Sequence, residues 1–139
     1  MKKKKMSKKS KIPDIKKISD AEWEVVYVLW NQGESTAAEV CEQLVGQFDW
    51  SPKTIRTFLA RLVQKGVIGV ALKDGINRYR TLIEETSAKQ AVGQTFLQKF
   101  FSGMLPSMVA HFVNDENVTL EELAKLQKVI EKRRNEMKQ

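Results

Sequence analysis

The apolar positions near the start of the chain predict a core helix over about residues 19–31. Its large apolar side chains recur at spacings of three and four residues, which is the helical period: Trp23, Val26, Tyr27 and Trp30. Ser19 and Glu22 occupy the two positions of a capping box, in which each side chain bonds the backbone N–H of the other residue. Gly33 breaks the pattern, so we expect the helix to end shortly before it.

A second helix is predicted to follow within a few residues. Thr36 and Glu39 form another capping box, and apolar side chains recur behind it until about residues 46–49. Cys41 is the only cysteine of the chain and lies on the apolar side of this helix. Because a single cysteine cannot form an intramolecular disulfide and free cysteines are often buried, we interpret Cys41 as a structural thiol rather than a reactive one.

The third predicted helix has the most sharply marked bounds. Ser51 is a good N-cap, Pro52 suits the first helical position, and Gly66 stands where helices commonly end in a left-handed residue. One side of the helical wheel is apolar, with Ile55, Phe58, Leu59, Leu62 and Val63. The opposite side is polar and has no acidic residue: Lys53, Thr54, Arg56, Thr57, Arg61, Gln64 and Lys65. Ala60, in the middle of this side, is small enough to let a flat or grooved surface approach the backbone.

The pattern changes over residues 67–82 to a run rich in β-branched side chains. A Lys-Asp-Gly triplet at residues 73–75 divides the run, which predicts a short two-stranded hairpin. Its tip is expected to carry three polar side chains, Lys73, Asn77 and Arg78. Three helices followed by a basic hairpin is the order of a winged helix-turn-helix. We therefore predict a winged helix domain over residues 18–82, with the third helix as recognition helix and the hairpin as wing.

The second half of the chain is predicted to be helical, over about residues 84–102 and 105–114 and again after a capping box at Thr119 and Glu122. These helices carry more large apolar side chains than they can bury among themselves, and such patches usually mark an interface. The fold class is thus mainly α, with a helical dimerisation domain over residues 83–139. The expected dimer interface comprises Phe96, Phe100, Phe101, Met108, Phe112, Leu123 and Ile130. In the alternative, these helices fold back on the first helix and bury the same side chains within one chain.

The formal charge of +7 is unevenly distributed. Residues 1–17 hold nine Lys and one Asp, a net +8, whereas residues 18–139 sum to −1. We expect this basic tail to be disordered when free, and to be either an arm that adds sequence-independent phosphate contacts or a solubilising leader. Within the folded part, residues 51–80 carry seven basic residues against Asp74 alone, and this local +6 favours phosphate binding.

Composition and motifs exclude several classes of protein. The longest apolar run has six residues, far below the roughly 18 that a membrane helix needs, so no membrane insertion is expected. The first lysines are not followed by an apolar core, which excludes an export signal and predicts a cytoplasmic protein. Phosphate-cradling glycine loops are absent, and one His and one Cys supply no catalytic constellation. We therefore predict neither enzyme activity nor a cofactor.

Winged helices also serve as protein-interaction or RNA-binding modules, which is the alternative to operator binding. A docking face would show exposed aromatic or aliphatic anchors, and binding of single strands would need aromatic side chains for stacking. The polar side of the third helix shows Lys, Arg, Thr and Ala instead, which favours double-stranded DNA.

Two runs of the chain carry a family resemblance: ISDAEWEVVYVLW at residues 18–30 and WSPKTIRTFLARLVQKG at residues 50–66. The specific part is SPKTIRT followed by LxRLVxKG. From residue 18 to about 133 the chain resembles the penicillinase repressor family of BlaI, MecI and CopY-type winged helix transcriptional repressors. The resemblance implies a dimeric bacterial repressor, similar to those of β-lactam resistance, that silences promoters by binding two-fold symmetric operators.

The resemblance also implies which residues bind DNA. Five side chains of the recognition helix would meet the major groove: Lys53, Thr54, Arg56, Thr57 and Arg61. On the wing, Lys73 and Arg78 would meet the DNA backbone. Because Arg suits guanine O6 and N7, whereas Lys and Thr more often anchor phosphates, we expect Arg56 or Arg61 to read a base.

Two regulatory features of the family differ here. In the β-lactam repressors a protease linked to a membrane sensor cuts an Asn-Phe bond in the dimerisation domain; the corresponding pair in this chain is His111-Phe112, the candidate cleavage site for a regulatory protease. The copper-responsive members carry a C-terminal cysteine cluster that binds metal. This chain ends in EKRRNEMKQ, without Cys or His, so thiolate metal sensing is excluded and no metal site is predicted.

Overall fold

The computed structural model describes residues 15–139, so most of the predicted tail lies outside the described range. After a 3-10 turn at Ile15–Lys17 there are six helices: α1 Asp20–Gln32, α2 Ala37–Leu44, α3 Pro52–Gln64, α4 Glu85–Phe101, α5 Leu105–Val113 and α6 Leu120–Met137. The strands are β1 Ser35–Thr36, β2 Ile68–Lys73 and β3 Ile76–Thr81. The predicted fold class, mainly helical with a winged helix, is confirmed. Within residues 15–139 no helix is long and apolar enough to cross a membrane.

Helix starts coincide with the predicted capping residues. Ser19 accepts the backbone N–H of Glu22 at 3.1 Å, and the Glu22 carboxylate accepts the N–H of Ser19 at 3.0 Å. The same reciprocal pair opens two further helices: Thr36 with Glu39 in α2, and Thr119 with Glu122 in α6. Each box satisfies two backbone donors that would otherwise lack a partner, so local hydrogen bonds determine where these helices begin.

One apolar core joins α1, α2 and α3 to the sheet. The apolar side of α3 contributes Ile55, Leu59 and Leu62, each 0% exposed. Burying a side chain of this size contributes about 1.5–3 kcal/mol, so α3 is firmly held by this side. Cys41 is a free thiol and is buried in the same core, as expected for a structural cysteine.

The wing belongs to a three-stranded antiparallel sheet in the order β1-β3-β2. The predicted two-stranded hairpin is confirmed as β2 and β3. A third strand that the sequence did not indicate, β1, pairs with Arg78 and Tyr79 on the other edge of β3. A strand of two residues is too short to show alternation in the sequence. The hairpin turns at Asp74 and Gly75, whose φ angles of 53° and 77° are those that a type I′ turn requires.

The chain divides into two compact units, Met1–Val92 and Gly93–Gln139. In the first unit, the indole Nε1 of Trp30 donates to the carbonyl of Ile83 at 3.1 Å, and Ala88 at the start of α4 is buried. These contacts hold the beginning of α4 within the first unit, whereas the predicted domain boundary lies just before α4. The functional division of the chain at that boundary stays a prediction.

Candidate nucleic-acid and dimer interfaces

The polar side of α3 faces solvent, as the helical wheel predicts. Its exposed side chains are Lys53, Arg56, Thr57, Ala60, Arg61 and Gln64. Among residues 15–139, neither Arg56 nor Arg61 forms an ion pair with a carboxylate. Each guanidinium group therefore keeps its planar fork of N–H donors for an acceptor outside this part of the chain.

The start of α3 is fixed by a cap and by aromatic contacts. Ser51 Oγ accepts the backbone N–H of Thr54 at 3.1 Å. The ring of Trp50 stacks on Phe48, with centroids 4.2 Å apart, and meets the edge of Phe58 at 5.2 Å. Since these rings also pack against the core, they anchor the point at which the chain enters α3. The packing of these rings, and not the sequence of α3 alone, therefore determines the direction in which the polar side of α3 faces.

The threonine hydroxyls on this side already have partners within the helix. Thr57 Oγ1 donates to the carbonyl of Lys53 at 3.1 Å, and Thr54 Oγ1 shares a hydrogen bond of 3.1 Å with Ser51 Oγ. A hydroxyl has one proton to donate, and phosphate oxygens only accept. In this rotamer Thr57 can accept a hydrogen bond from a base amino group. Acting as the expected phosphate anchor would require its hydroxyl to rotate.

Lys65 belongs to the polar side on the wheel, but it points towards the protein. Its Nζ donates to a carboxylate oxygen of Glu22 at 2.5 Å and to the carbonyl of Lys17 at 2.7 Å. Burial alone would raise the pKa of Glu22, but the hydrogen bonds from Lys65 and Ser19 and the Lys65 charge outweigh it, so this pKa lies below its ordinary value. Lys65 thus ties the end of α3 to the start of α1 and is not available to DNA in this arrangement.

The two predicted wing residues occupy different environments. Lys73, at the end of β2, forms an ion pair of 3.0 Å with Glu34 and remains 54% exposed. The prediction that Arg78 lies at the wing tip is wrong, because it pairs with Ala71 of β2 on one side and with β1 on the other. Arg78 is half-buried in the body of the sheet. The turn residues that form the actual tip are Asp74 and Gly75.

Arg80 is a basic wing residue that the sequence-based site did not include. It is exposed and lies two positions after Arg78, so both share the face of β3 opposite to Tyr79, which packs on the core. Its pairing partner is Gly69; a Cβ added there would lie 3.4 Å from an Arg80 guanidinium nitrogen. Alternation along β3 was the signal that could have identified Arg80.

The second unit has an incompletely covered apolar surface. The ring centroids of Phe96 lie 5.0 Å from Phe100 and 6.2 Å from Phe112, so α4 and α5 share an aromatic cluster. No residue of α5 or α6 is buried. Of the predicted interface, five side chains are exposed and two are half-buried: Phe96, Phe100, Phe112, Leu123 and Ile130, then Phe101 and Met108. A partner could therefore bury additional apolar area on this unit.

Comparison with known proteins identifies the family. Residues 18–132 match the penicillinase repressor family. The chain is 36% identical over 116 residues to the methicillin resistance regulatory protein MecI of Staphylococcus aureus (strain N315), an alignment that covers 84% of this chain and 94% of MecI. It is 34% identical over 125 residues to the penicillinase repressor of Bacillus licheniformis, covering 90% and 98% of the two chains.

The chain belongs to the penicillinase repressor family. The resemblance noted in the sequence is thereby confirmed, and so is the prediction that the protein is not an enzyme, because this is a family of transcriptional repressors. Among solved structures, the monomeric form of Bacillus licheniformis BlaI in complex with the blaP half-operator is 37% identical to this chain. The match covers 54% of this chain and 92% of the BlaI chain, with a TM-score of 0.48.

The predicted cleavage pair of this penicillinase repressor family member, His111-Phe112, lies in the second unit. His111 is exposed near the end of α5, and its ring meets Phe112 edge-on at 5.3 Å. The candidate cleavage bond therefore lies within a helix, which a protease can cut only after local unfolding. Within residues 15–139 no group of three or more His, Cys, Asp or Glu side chains is arranged to hold a metal ion.

Proposed function

We propose that this chain is a transcriptional repressor that binds double-stranded operator DNA sequence-specifically as a homodimer. The observation that carries the proposal is the exposed, acid-free side of α3, where Arg56 and Arg61 flank the small Ala60. The relatives named as a penicillinase repressor and as a methicillin resistance regulator support it, and they point to genes of antibiotic resistance as targets. A cytoplasmic location, where the chromosome lies, is part of the proposal.

The polar side of α3 has the chemistry that the major groove requires. An α-helix fits this groove, and a guanidinium group can donate two hydrogen bonds to O6 and N7 of guanine. Arg56 and Arg61 are the candidates for this contact. Lys53 near the start of α3, with Arg78 and Arg80 on the wing, would contact phosphates, which position the protein without reading bases. Since no aromatic or large aliphatic side chain is exposed on this side of α3, protein docking and single-strand stacking are less well supported.

The homodimer is proposed from the uncovered apolar surface of the second unit. A closed dimer uses the same patch on both copies, so the phenylalanines of α4 and α5 would meet their symmetry equivalents. Two-fold symmetry of the protein implies two-fold symmetry of the operator. The recognition helices would then lie about 34 Å apart, or a multiple of that distance.

Proteolysis at His111-Phe112 is proposed as the event that releases repression. Both residues belong to α5, between the DNA-binding half and α6, so a cut there would separate part of the dimer surface from the winged helix. The family cleavage site has Asn where this chain has His111, so a dedicated protease would have to accept an imidazole at that position.

Replacing either recognition-helix arginine tests the base-reading role. Arg56→Ala and Arg61→Ala are each expected to weaken operator binding by about 1–3 kcal/mol, because a bidentate contact to guanine is lost. Affinity for a shuffled duplex should fall less, so base preference relaxes. Fluorescence anisotropy with a duplex selected from a random-sequence pool, titrated beside a shuffled duplex, measures both effects.

Arg134→Ala is the matched control, because it removes the same charge from α6. It is expected to leave both affinities almost unchanged. If neither α3 variant changes operator affinity more than this control does, the assignment of α3 as recognition helix is wrong.

Deleting residues 2–11 tests the basic tail, which lies outside the described residues. The deletion removes seven lysines and is expected to lower affinity for every duplex while leaving base preference intact. The logarithm of affinity should also fall less steeply with the logarithm of salt concentration. An unchanged affinity at low salt would contradict a role of the tail in DNA binding.

A further inference from the structure

We propose that Glu34 restrains DNA binding by competing with phosphate for Lys73 of the wing. The two oxygens of the Glu34 carboxylate lie 3.0 and 3.3 Å from Lys73 Nζ. This inference rests on the proposed function, since it concerns a side chain that the wing would present to DNA. Glu34 would then be a negative determinant of affinity, a role that no motif in the sequence indicates.

The position of Glu34 allows it to act on the wing. It lies in the turn between α1 and β1, and β1 borders β3 on the edge opposite to β2. Lys73 is the last residue of β2, next to the hairpin turn. The ion pair therefore joins the end of β2 to the turn that follows α1. The Glu34 side chain is 33% exposed and that of Lys73 is 54% exposed, so the lysine is the more accessible partner.

A phosphate contact at Lys73 requires an exchange of partners. The ammonium group must leave one carboxylate to meet another anion, and Glu34 then remains near the DNA backbone, where like charges repel. Exposed ion pairs contribute up to about 1 kcal/mol, which corresponds to about a fivefold change in affinity. Because phosphates are the same at every base pair, this restraint acts on all duplexes alike and leaves base preference unchanged.

A double-mutant cycle measures the exchange. The variants are Glu34→Gln, Lys73→Met and both together, titrated with the selected operator duplex and the shuffled duplex. Glu34→Gln is expected to strengthen binding to both duplexes by about two- to fivefold. Lys73→Met is expected to weaken binding more in the Glu34→Gln background than in the wild type, because only the wild-type lysine has to give up an ion pair. The ratio of the two effects equals the contribution of that pair.

Two measurements distinguish the effect of the Lys73–Glu34 ion pair from that of a change in net charge: the salt dependence of DNA affinity and a control variant with the same change in charge. Lys73 contacts phosphate in both proteins, so Glu34→Gln should change the slope of log affinity against log salt by much less than one, whereas a lysine that gained a new phosphate contact would steepen it by about one. Glu42→Gln adds the same net charge on α2 without touching the pair, and the effect of Lys73→Met should be the same in this background as in the wild type. Thermal unfolding of each variant verifies that the domain is folded at the temperature of the titration.

The possible results discriminate between this inference and the proposed function. If Lys73→Met weakens binding equally in all backgrounds, the wing contacts DNA but no exchange occurs, and the role of Glu34 is overturned. If Lys73→Met has no effect while Arg56→Ala does, Lys73 does not meet phosphate and the inference also fails. If no variant, including those of Arg56 and Arg61, changes binding to any duplex, the proposed function itself is wrong.

Discussion

Phe112→Asp is expected to convert the proposed dimer into a monomer and to weaken operator binding by about 100-fold or more, because binding to two half-sites at once adds that much affinity. Phe112 is 50% exposed, and its ring lies 6.2 Å from those of Phe96 and Phe101. A carboxylate there would be buried without a partner in a dimer, at a cost of several kcal/mol. Analytical ultracentrifugation and operator titration measure the two effects.

Two further variants make this test decisive. Ser107→Asp places the same charge near the start of α5, where an acid is favourable, and should leave the dimer intact. Phe100→Asp changes a more exposed ring of the same cluster, so it should dissociate the dimer even if Phe112→Asp disturbs the fold of the second unit. Circular dichroism reports that disturbance. A dimer that survives both phenylalanine substitutions would refute the interface.

Lys65→Met is expected to lower the free energy of unfolding of the winged helix domain by about 3 kcal/mol at pH 7. Removing one partner of a buried ion pair leaves the other charge uncompensated, with a typical cost of about 3–5 kcal/mol. Glu22 is 2% exposed, whereas the Lys65 side chain is 30% exposed, so the lower end of that range applies. Urea-induced unfolding, followed by tryptophan fluorescence, measures the loss.

The pH dependence of this loss has a definite sign. In the wild type the pKa of Glu22 is below its ordinary value of 4.5, so the ion pair stabilises the fold above that pH and its contribution is lost as the pH falls through the folded-state pKa. In Lys65→Met, burial raises this pKa and only the hydrogen bonds from Ser19 oppose it. Protonation of Glu22 then removes the buried charge that has lost its partner. The stability difference between the two proteins should therefore be largest at pH 7 and shrink in acid.

Glu22→Gln is the matched control for this prediction. The amide oxygen can still accept the backbone N–H of Ser19, but there is no charge to titrate at this position. The free energy of unfolding of Glu22→Gln should be lower than that of the wild type, because Lys65 loses its charged partner. Unlike Lys65→Met, Glu22→Gln has no group at position 22 that could make its stability depend on pH. A Lys65→Met protein whose loss is the same at pH 7 and pH 4 would contradict the role assigned to the Glu22 charge.

Features governed by neighbouring residues could be predicted from the sequence. The helix starts at Ser19, Thr36, Ser51 and Thr119 followed from capping residues, whose hydrogen bonds span only three positions. The buried and exposed sides of α3 followed from the helical period, because the core binds whichever side is apolar. The same local rules indicated the hairpin turn through the Lys-Asp-Gly triplet at residues 73–75.

Features governed by distant partners could not be predicted in this way. Lys65 has the same local pattern as an exposed basic residue, and only the fold brings it to Glu22. Lys73 and Glu34 are likewise far apart in sequence, so the local +6 overstates the charge that is free for DNA. The half-buried position of Arg78 also depends on a distant partner, since β1 on its other side is too short to be recognised in the sequence.

The two-residue strand β1 also has a thermodynamic consequence for binding. It gives β3 hydrogen-bonded neighbours on both edges, so the wing is part of a preformed three-stranded sheet rather than a free hairpin. A loop that became ordered only on the operator would lose about 1–2 kcal/mol of backbone entropy for each residue fixed. The wing avoids this loss, so even a few modest phosphate contacts can add to affinity. Calorimetry of wing contacts should accordingly show a heat-capacity change no larger than the buried surface explains, without the additional change that coupled folding produces.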